Sequence, residues 1–163
     1  MKRIVVGLLL SSIALLQVGC GSAPPQPSPV RQALVSLSDR AAQQVIRAPD
    51  WTQALEDVVM LVADPEVDRA LGIEVERFRE HLSRALLAQR DGPQVIDATP
   101  GMTEAAKDNQ WLLESRLLAD GPRLRLSDRE LLPYKLTLTL RRPGEESPRW
   151  QQQLTGAIDT TAL

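Results

Sequence analysis

The chain has 163 residues and carries 19 basic against 21 acidic side chains, a formal charge of −2 at pH 7. That length suits one domain of ordinary size. A single Cys excludes an internal disulfide, and with a single His it also excludes zinc sites of the Cys₂His₂ or Cys₄ type. The charge is nearly balanced and no long block of like charges occurs, which argues against a nucleic-acid partner.

At the N-terminus, Lys2 and Arg3 precede an apolar stretch over residues 4–16 that is interrupted only by Gly7, Ser11 and Ser12, with the small Gly19 just before Cys20. This is the pattern of a secretory signal. Its apolar core of about 13 residues is shorter than the ~20 needed to span a bilayer as a helix. With Gly19 and Cys20 at the cleavage point, the segment resembles a bacterial lipoprotein signal. The resemblance implies that residues 1–19 are removed and that the Cys20 thiol is acylated. Gly21 and Ser22 follow in place of the Asp that retains such lipoproteins in the inner membrane, so the implied location is the outer membrane, facing the periplasm. Burial of acyl chains at ~0.8 kcal/mol per methylene anchors the chain to a membrane without a transmembrane helix.

Residues 20–32, the lipidated Cys and a stretch with four prolines between Pro24 and Pro29, cannot form a core and read as an extended tether. At ~3.3 Å per residue such a tether reaches on the order of 40 Å. Residues 33–163 then form a single domain. Leu34, Leu37, Ala41, Val45 and Ala48 recur at helical spacing, with Ser36 or Ser38 placed to cap the first turn and Pro49 to stop the helix. The run Val58 to Ala63 is continuously apolar and of strand length, as expected for a strand buried on both faces. Val75, Phe78, Leu82, Ala85 and Leu86 mark a second amphipathic helix that Asp91, Gly92 and Pro93 close. A short strand at 94–97 follows, completing a β-α-β unit, and a short third helix is expected over 102–109.

After this point the period changes from 3.6 to 2. Alternation over 111–119, 132–141 and 150–158 predicts three antiparallel strands, with an Arg- and Asp-rich solvated loop at 120–130 and a turn around Gly144. The expected fold is therefore α/β (α+β): a mixed sheet of about five strands with helices packed on it, the last three strands forming an antiparallel meander.

The buried strand at 58–63, the helix-turn-strand at 78–97, the strand at 111–120 and the final pair at 132–154 with Gly144 in its turn and Trp150 opening its last strand carry a resemblance to a known family. They resemble the outer-membrane lipoproteins called penicillin-binding protein activator B, together with curli-secretion and flagellar-assembly relatives. The resemblance implies a noncatalytic envelope protein that regulates a peptidoglycan synthase, a class A penicillin-binding protein. The short tether favours instead an accessory of an outer-membrane assembly or secretion machine.

The residues that could carry chemistry are few. His81, on the border of the second helix's apolar stripe, reads as a partly buried, hydrogen-bonded imidazole rather than a general base. Glu145 and Glu146 fall in a hairpin turn, where solvated carboxylates are ordinary. Asp64, Glu66 and Asp68 alternate after a strand but lack the Gly and the distant Glu of a calcium loop. Trp111 and Trp150 share the alternation of core leucines and read as packing residues, whereas Trp51, in a connector, is expected nearer the surface. Arg116, Arg123, Arg125 and Arg129 suggest a solvated loop or a protein-docking edge. No catalytic residue, metal, cofactor or small-molecule substrate is expected, and Cys20 is the one assigned site.

Overall fold

The continuous apolar run at 58–63 has its cause in the middle of a sheet. Strand β1 (Val59–Val62) lies between β3 (Gln94–Asp97) and β4 (Gln110–Ala119) and is parallel to both. Met60 and Val62 join the core beneath the helices, and Leu61, on the opposite face, is also buried. The description comes from a computed structural model and covers residues 29–47, 51–102 and 107–159. The expected signal segment 1–19, Cys20, the expected tether up to residue 28, and the expected helix end at Ala48 and Pro49 lie outside the described residues.

Two α-helices lie among those residues, α1 (Pro29–Ile46) and α2 (Val75–Leu87). Helix α1 begins at Pro29, before the tether's expected end at residue 32, because proline's fixed φ and missing N–H suit a helix's first turn. Ser36 and Ser38 are therefore interior to the helix and cap nothing. Ser36 is exposed, while Ser38 is buried and its Oγ has no hydrogen-bond partner among the described residues. The stripe expected on α2 is the one that packs: Phe78, Leu82, Ala85 and Leu86 are buried against Leu34, Leu37, Ala41 and Val45 of α1 and the near face of the sheet. Each large apolar side chain removed from water there contributes roughly 1.5–3 kcal/mol.

Past the C-terminal cap of α2 at Ala88, the chain turns through Asp91 at φ 54° rather than through Gly92. Gly92 is needed for space: a Cβ there would lie 3.0 Å from the Gln89 carbonyl oxygen. The turn delivers β3 parallel to β1, which completes the β-α-β unit. The helix expected over 102–109 is not seen at either end. Pro100–Met102 forms a single 3₁₀ turn, residues 107–109 form a turn closed by Gln110 N–H to Lys107 O at 2.9 Å, and 103–106 lie outside the described residues.

The antiparallel half follows the period-2 pattern. β4 pairs with β6 (Glu130–Arg141), which pairs with β7 (Trp150–Asp159) in one uninterrupted register from Leu140 opposite Trp150 to Leu131 opposite Asp159. The five long strands thus run in the order β3, β1, β4, β6, β7, a mixed sheet as expected. Two short strands bring the total among the described residues to seven. β2 (Glu66–Val67) pairs with the far end of β4, and β5 (Leu124–Arg125) turns part of the expected solvated loop into a hairpin on β6.

Candidate functional site

Both helices lie on one face of the sheet, so the alternation along each long strand sorts side chains into core and surface. On β6, Leu132, Tyr134, Leu136, Leu138 and Leu140 are buried beneath the helices, while Lys135, Thr137, Thr139 and Arg141 are half-buried on the other side. Lys135, Thr137 and Thr139, with Glu114, Arg116 and Leu118 of β4 and Gln151 and Gln153 of β7, line a shallow concavity of about 580 Å³. Hydroxyl and amide groups fill its middle, and ion pairs frame it. Arg116 Nε lies 2.7 Å from Glu66 Oε2, Lys135 Nζ lies 3.3 Å from Asp120 Oδ1, and Arg141 donates from Nε and Nη2 to Glu114 Oε1 at 3.1 and 2.7 Å. The lining has no His or Cys. It offers hydrogen-bond donors and acceptors in a nearly charge-balanced field, suited to recognition of another polar surface.

The residues singled out in the sequence do not converge on this face. His81 is half-buried in a separate cleft between the helices, near Arg31, Arg77 and Arg84. Desolvation, then the cationic Arg84, holds its pKa below the ordinary value despite the opposing Glu80. Asp64, Glu66 and Asp68 are held apart by separate structural tasks. Asp64 pairs with Arg79, Glu66 with Arg116, and Asp68 caps a 3₁₀ turn through Ala70 N–H at 2.9 Å and also accepts from Ala119 N–H at 3.4 Å. Among the described residues no group of three or more His, Cys, Asp or Glu could hold a metal. Glu145 accepts two hydrogen bonds at 2.8 Å from Arg149, which holds its carboxyl below the usual range.

The four arginines are also engaged. Arg123 and Arg125 both hold Glu130, whose pKa is lowered by Arg125 first and Arg123 next, and Arg129 pairs with Asp128 at 2.7 Å. Arg116 alone of the four borders the open face.

Trp111 is a core residue as expected, 3% exposed. Trp51 is less exposed than a connector position suggests. Its ring meets Trp111 edge-on at 5.1 Å and its Nε1–H donates to Ile46 O at 3.1 Å, tying the chain after α1 to the start of β4. Arg142 covers the other side of the pair, its guanidinium carbon 4.0 Å from the Trp111 ring centroid and its Nη1 donating to the Asp108 and Gln110 carbonyls. Nothing in the local sequence around Arg142 announces that role, because Trp51 and Trp111 come from distant parts of the chain.

Fold and face together define a two-layer α+β domain whose mixed sheet is covered on one side by helices and presents a polar surface on the other. No protein-family model matches the chain, and no curated protein sequence matches it. Among solved structures it is similar to protein XCC0632 from Xanthomonas campestris, at TM-score 0.46 and 11% identity over 71% of this chain and 75% of that one. It is similar also to the C-terminal domain of LpoB from Salmonella enterica, at TM-score 0.43 and 15% identity over 74% and 94%. Lipoprotein GNA1162 from Neisseria meningitidis gives TM-score 0.42 and 10% identity over 64% and 85%. These are loose likenesses.

Proposed function

We propose that this chain is a lipid-anchored envelope protein, held at the periplasmic face of the outer membrane through Cys20, whose domain binds and regulates another envelope protein without catalysing a reaction itself. The observation that carries the binding role is the polar sheet face from Glu114 to Gln153, which the two helices leave uncovered and which is rich in neutral hydrogen-bonding groups. The lipoprotein-type signal supports the anchor. Among the described residues no helix is long and apolar enough to cross a membrane.

The partner proposed is a class A penicillin-binding protein, stimulated because the domain binds its active conformation more tightly than the resting one. Capture on the full lipoprotein from solubilised envelopes should recover that synthase, and the added protein should raise its polymerisation rate. Thr137→Arg, which puts a bulky charge in the middle of the open face, should abolish both effects while the melting temperature holds. Recovery of no synthase, with an unchanged polymerisation rate, defeats this form of the proposal. Labelled palmitate should enter the wild-type chain and not Cys20→Ser.

A second reading rests on the tether. With eight residues, 21–28, between Cys20 and helix α1, reaching at most about 30 Å, the domain stays close to its own membrane. That favours an accessory role in an outer-membrane assembly or secretion machine of flagellar or curli type, and co-purification with an outer-membrane ring or barrel distinguishes it.

A further inference from the structure

The sheet ends on β7, a ten-residue strand that pairs with β6 on one side and with no described residue on the other. Exposed edge strands are ordinarily guarded against pairing by charged side chains, proline, bulges or shortness. β7 has none of these between Trp150 and Ile158, where the sequence is WQQQLTGAI and the register with β6 is unbroken.

The direction of its free main-chain groups can be worked out. Asp120 N–H donates to Pro133 O across β4 and β6, so the carbonyl of Pro133 points towards β4. Main-chain groups alternate along a strand, so those of Tyr134, Leu136, Leu138 and Leu140 point towards β7, as the bond from Arg149 N–H to Leu140 O at 2.8 Å shows directly. Their opposite numbers on β7 are the even-numbered residues. The odd-numbered residues from Gln151 to Ala157 therefore aim their N–H and C=O groups outward.

From this geometry we infer that the β7 edge is the interface of a symmetric dimer, in which β7 of a second copy of this chain lies antiparallel to the first about a two-fold axis at Leu154. An antiparallel register is hydrogen-bonded only if outward-pointing residues face one another. Placing Leu154 opposite itself satisfies that condition and overlaps residues 150–158, all of the strand but its last residue. The same register sets Trp150 against Ile158 of the second copy. At each end it brings Arg149, which already holds Glu145 in its own chain, opposite Asp159, the only charged residue of β7. A shift of the axis to Gln153 or Thr155 also satisfies the main chain, but at Gln153 it shortens the overlap and at either residue it separates that charge pair. The two sheets become one continuous sheet with about eight new main-chain hydrogen bonds, and confinement to a membrane surface raises the effective concentration of copies.

Variants of the full lipoprotein with one added Cys read the register, since the only native Cys, Cys20, is blocked by acylation in the proposed anchor. In detergent, at no more than one copy per micelle, Leu154→Cys treated with a mild oxidant should form a disulfide-linked dimer at least tenfold faster than Gln153→Cys, Thr155→Cys or the wild type. Faster linkage at 153 or 155, or no linkage at 154 above the wild type, overturns the proposal. Sedimentation equilibrium supplies a second readout. Gln153→Pro removes an outward N–H and no bond to β6, so it should weaken self-association at least tenfold with an unchanged far-ultraviolet circular dichroism spectrum. Equal self-association of the variant, or a wild-type chain monomeric at all concentrations, also overturns it.

Discussion

Tyr134 lies directly over Gly156: the two residues face each other across β6 and β7, and a Cβ on residue 156 would stand 2.5 Å from the tyrosine Oη. The glycine weakens the strand by itself, and the ring laid across it restores the missing packing. The phenol oxygen also accepts a hydrogen bond from Arg40 Nη2, so one side chain joins α1, β6 and β7.

Gly156→Ala is therefore expected to push the Tyr134 ring aside and destabilise the domain by about 1–3 kcal/mol, the usual range for overpacking. Tyr134→Phe keeps the ring and loses only the hydrogen bond, at about 1 kcal/mol. Urea denaturation of both variants checks the order, and a larger loss for Tyr134→Phe contradicts this account.

Arg142 stacks on Trp111 and bridges two carbonyls at the start of β4. Arg142→Ala should cost about 1–2 kcal/mol and shift tryptophan emission to the red as water reaches Trp111. Arg142→Lys keeps the charge without the flat fork, so its loss should fall between that of alanine and the wild type. Equal stability of all three removes the stacked pair from the list of stabilising contacts.

Asp68 ties the turn after β2 to the end of β4 through its two side-chain oxygens. Asp68→Ala should destabilise by about 1 kcal/mol, as for other lost caps, with Asp68→Asn closer to wild type. Adding calcium should leave the thermal midpoint of the wild type unchanged. A calcium-dependent rise lost in Asp68→Ala would contradict this and make the acidic stretch at 64–68 a cation site.

His81 gives stability a pH dependence of known sign. Its folded pKa lies below the ordinary 6.5, through desolvation first and Arg84 next, so the unfolded chain binds the proton more readily. Its contribution is complete above about 6.5 and is lost as the pH falls towards the folded value. Unfolding free energies measured from pH 8 to pH 5 should fall with acidity in this window, and less steeply for His81→Gln. Identical slopes would show that the imidazole does not titrate differently on folding.

Much of the architecture is legible in the chain itself. The stripe from Phe78 to Leu86 and the leucine alternation on β6 each require one apolar environment, so helix, strand and buried face follow from spacing alone. Misplaced expectations fall where the cause is local and conditional. Ser36 and Ser38 resemble caps only until Pro29 is seen to start α1, and the left-handed turn belongs to Asp91 although Gly92 stands beside it. The open face was half legible. Its residues occupy the polar positions of the alternation, but nothing in the sequence says which strands adjoin.

Length, charge and the single Cys after an apolar stretch are properties of composition and order; they exclude an internal disulfide and set the expectation of one domain behind a segment that resembles a lipoprotein signal. Whether Asp64, Glu66 and Asp68 form one cluster or serve three separate contacts depends on distances across β2, β4 and α2. The same holds for the arginines, each held by a carboxylate, and for β7, whose unguarded edge is apparent only once β6 occupies its other side. Periodicity reports the environment along one element, whereas these pairings join residues tens of positions apart, and only the packed fold brings them within reach.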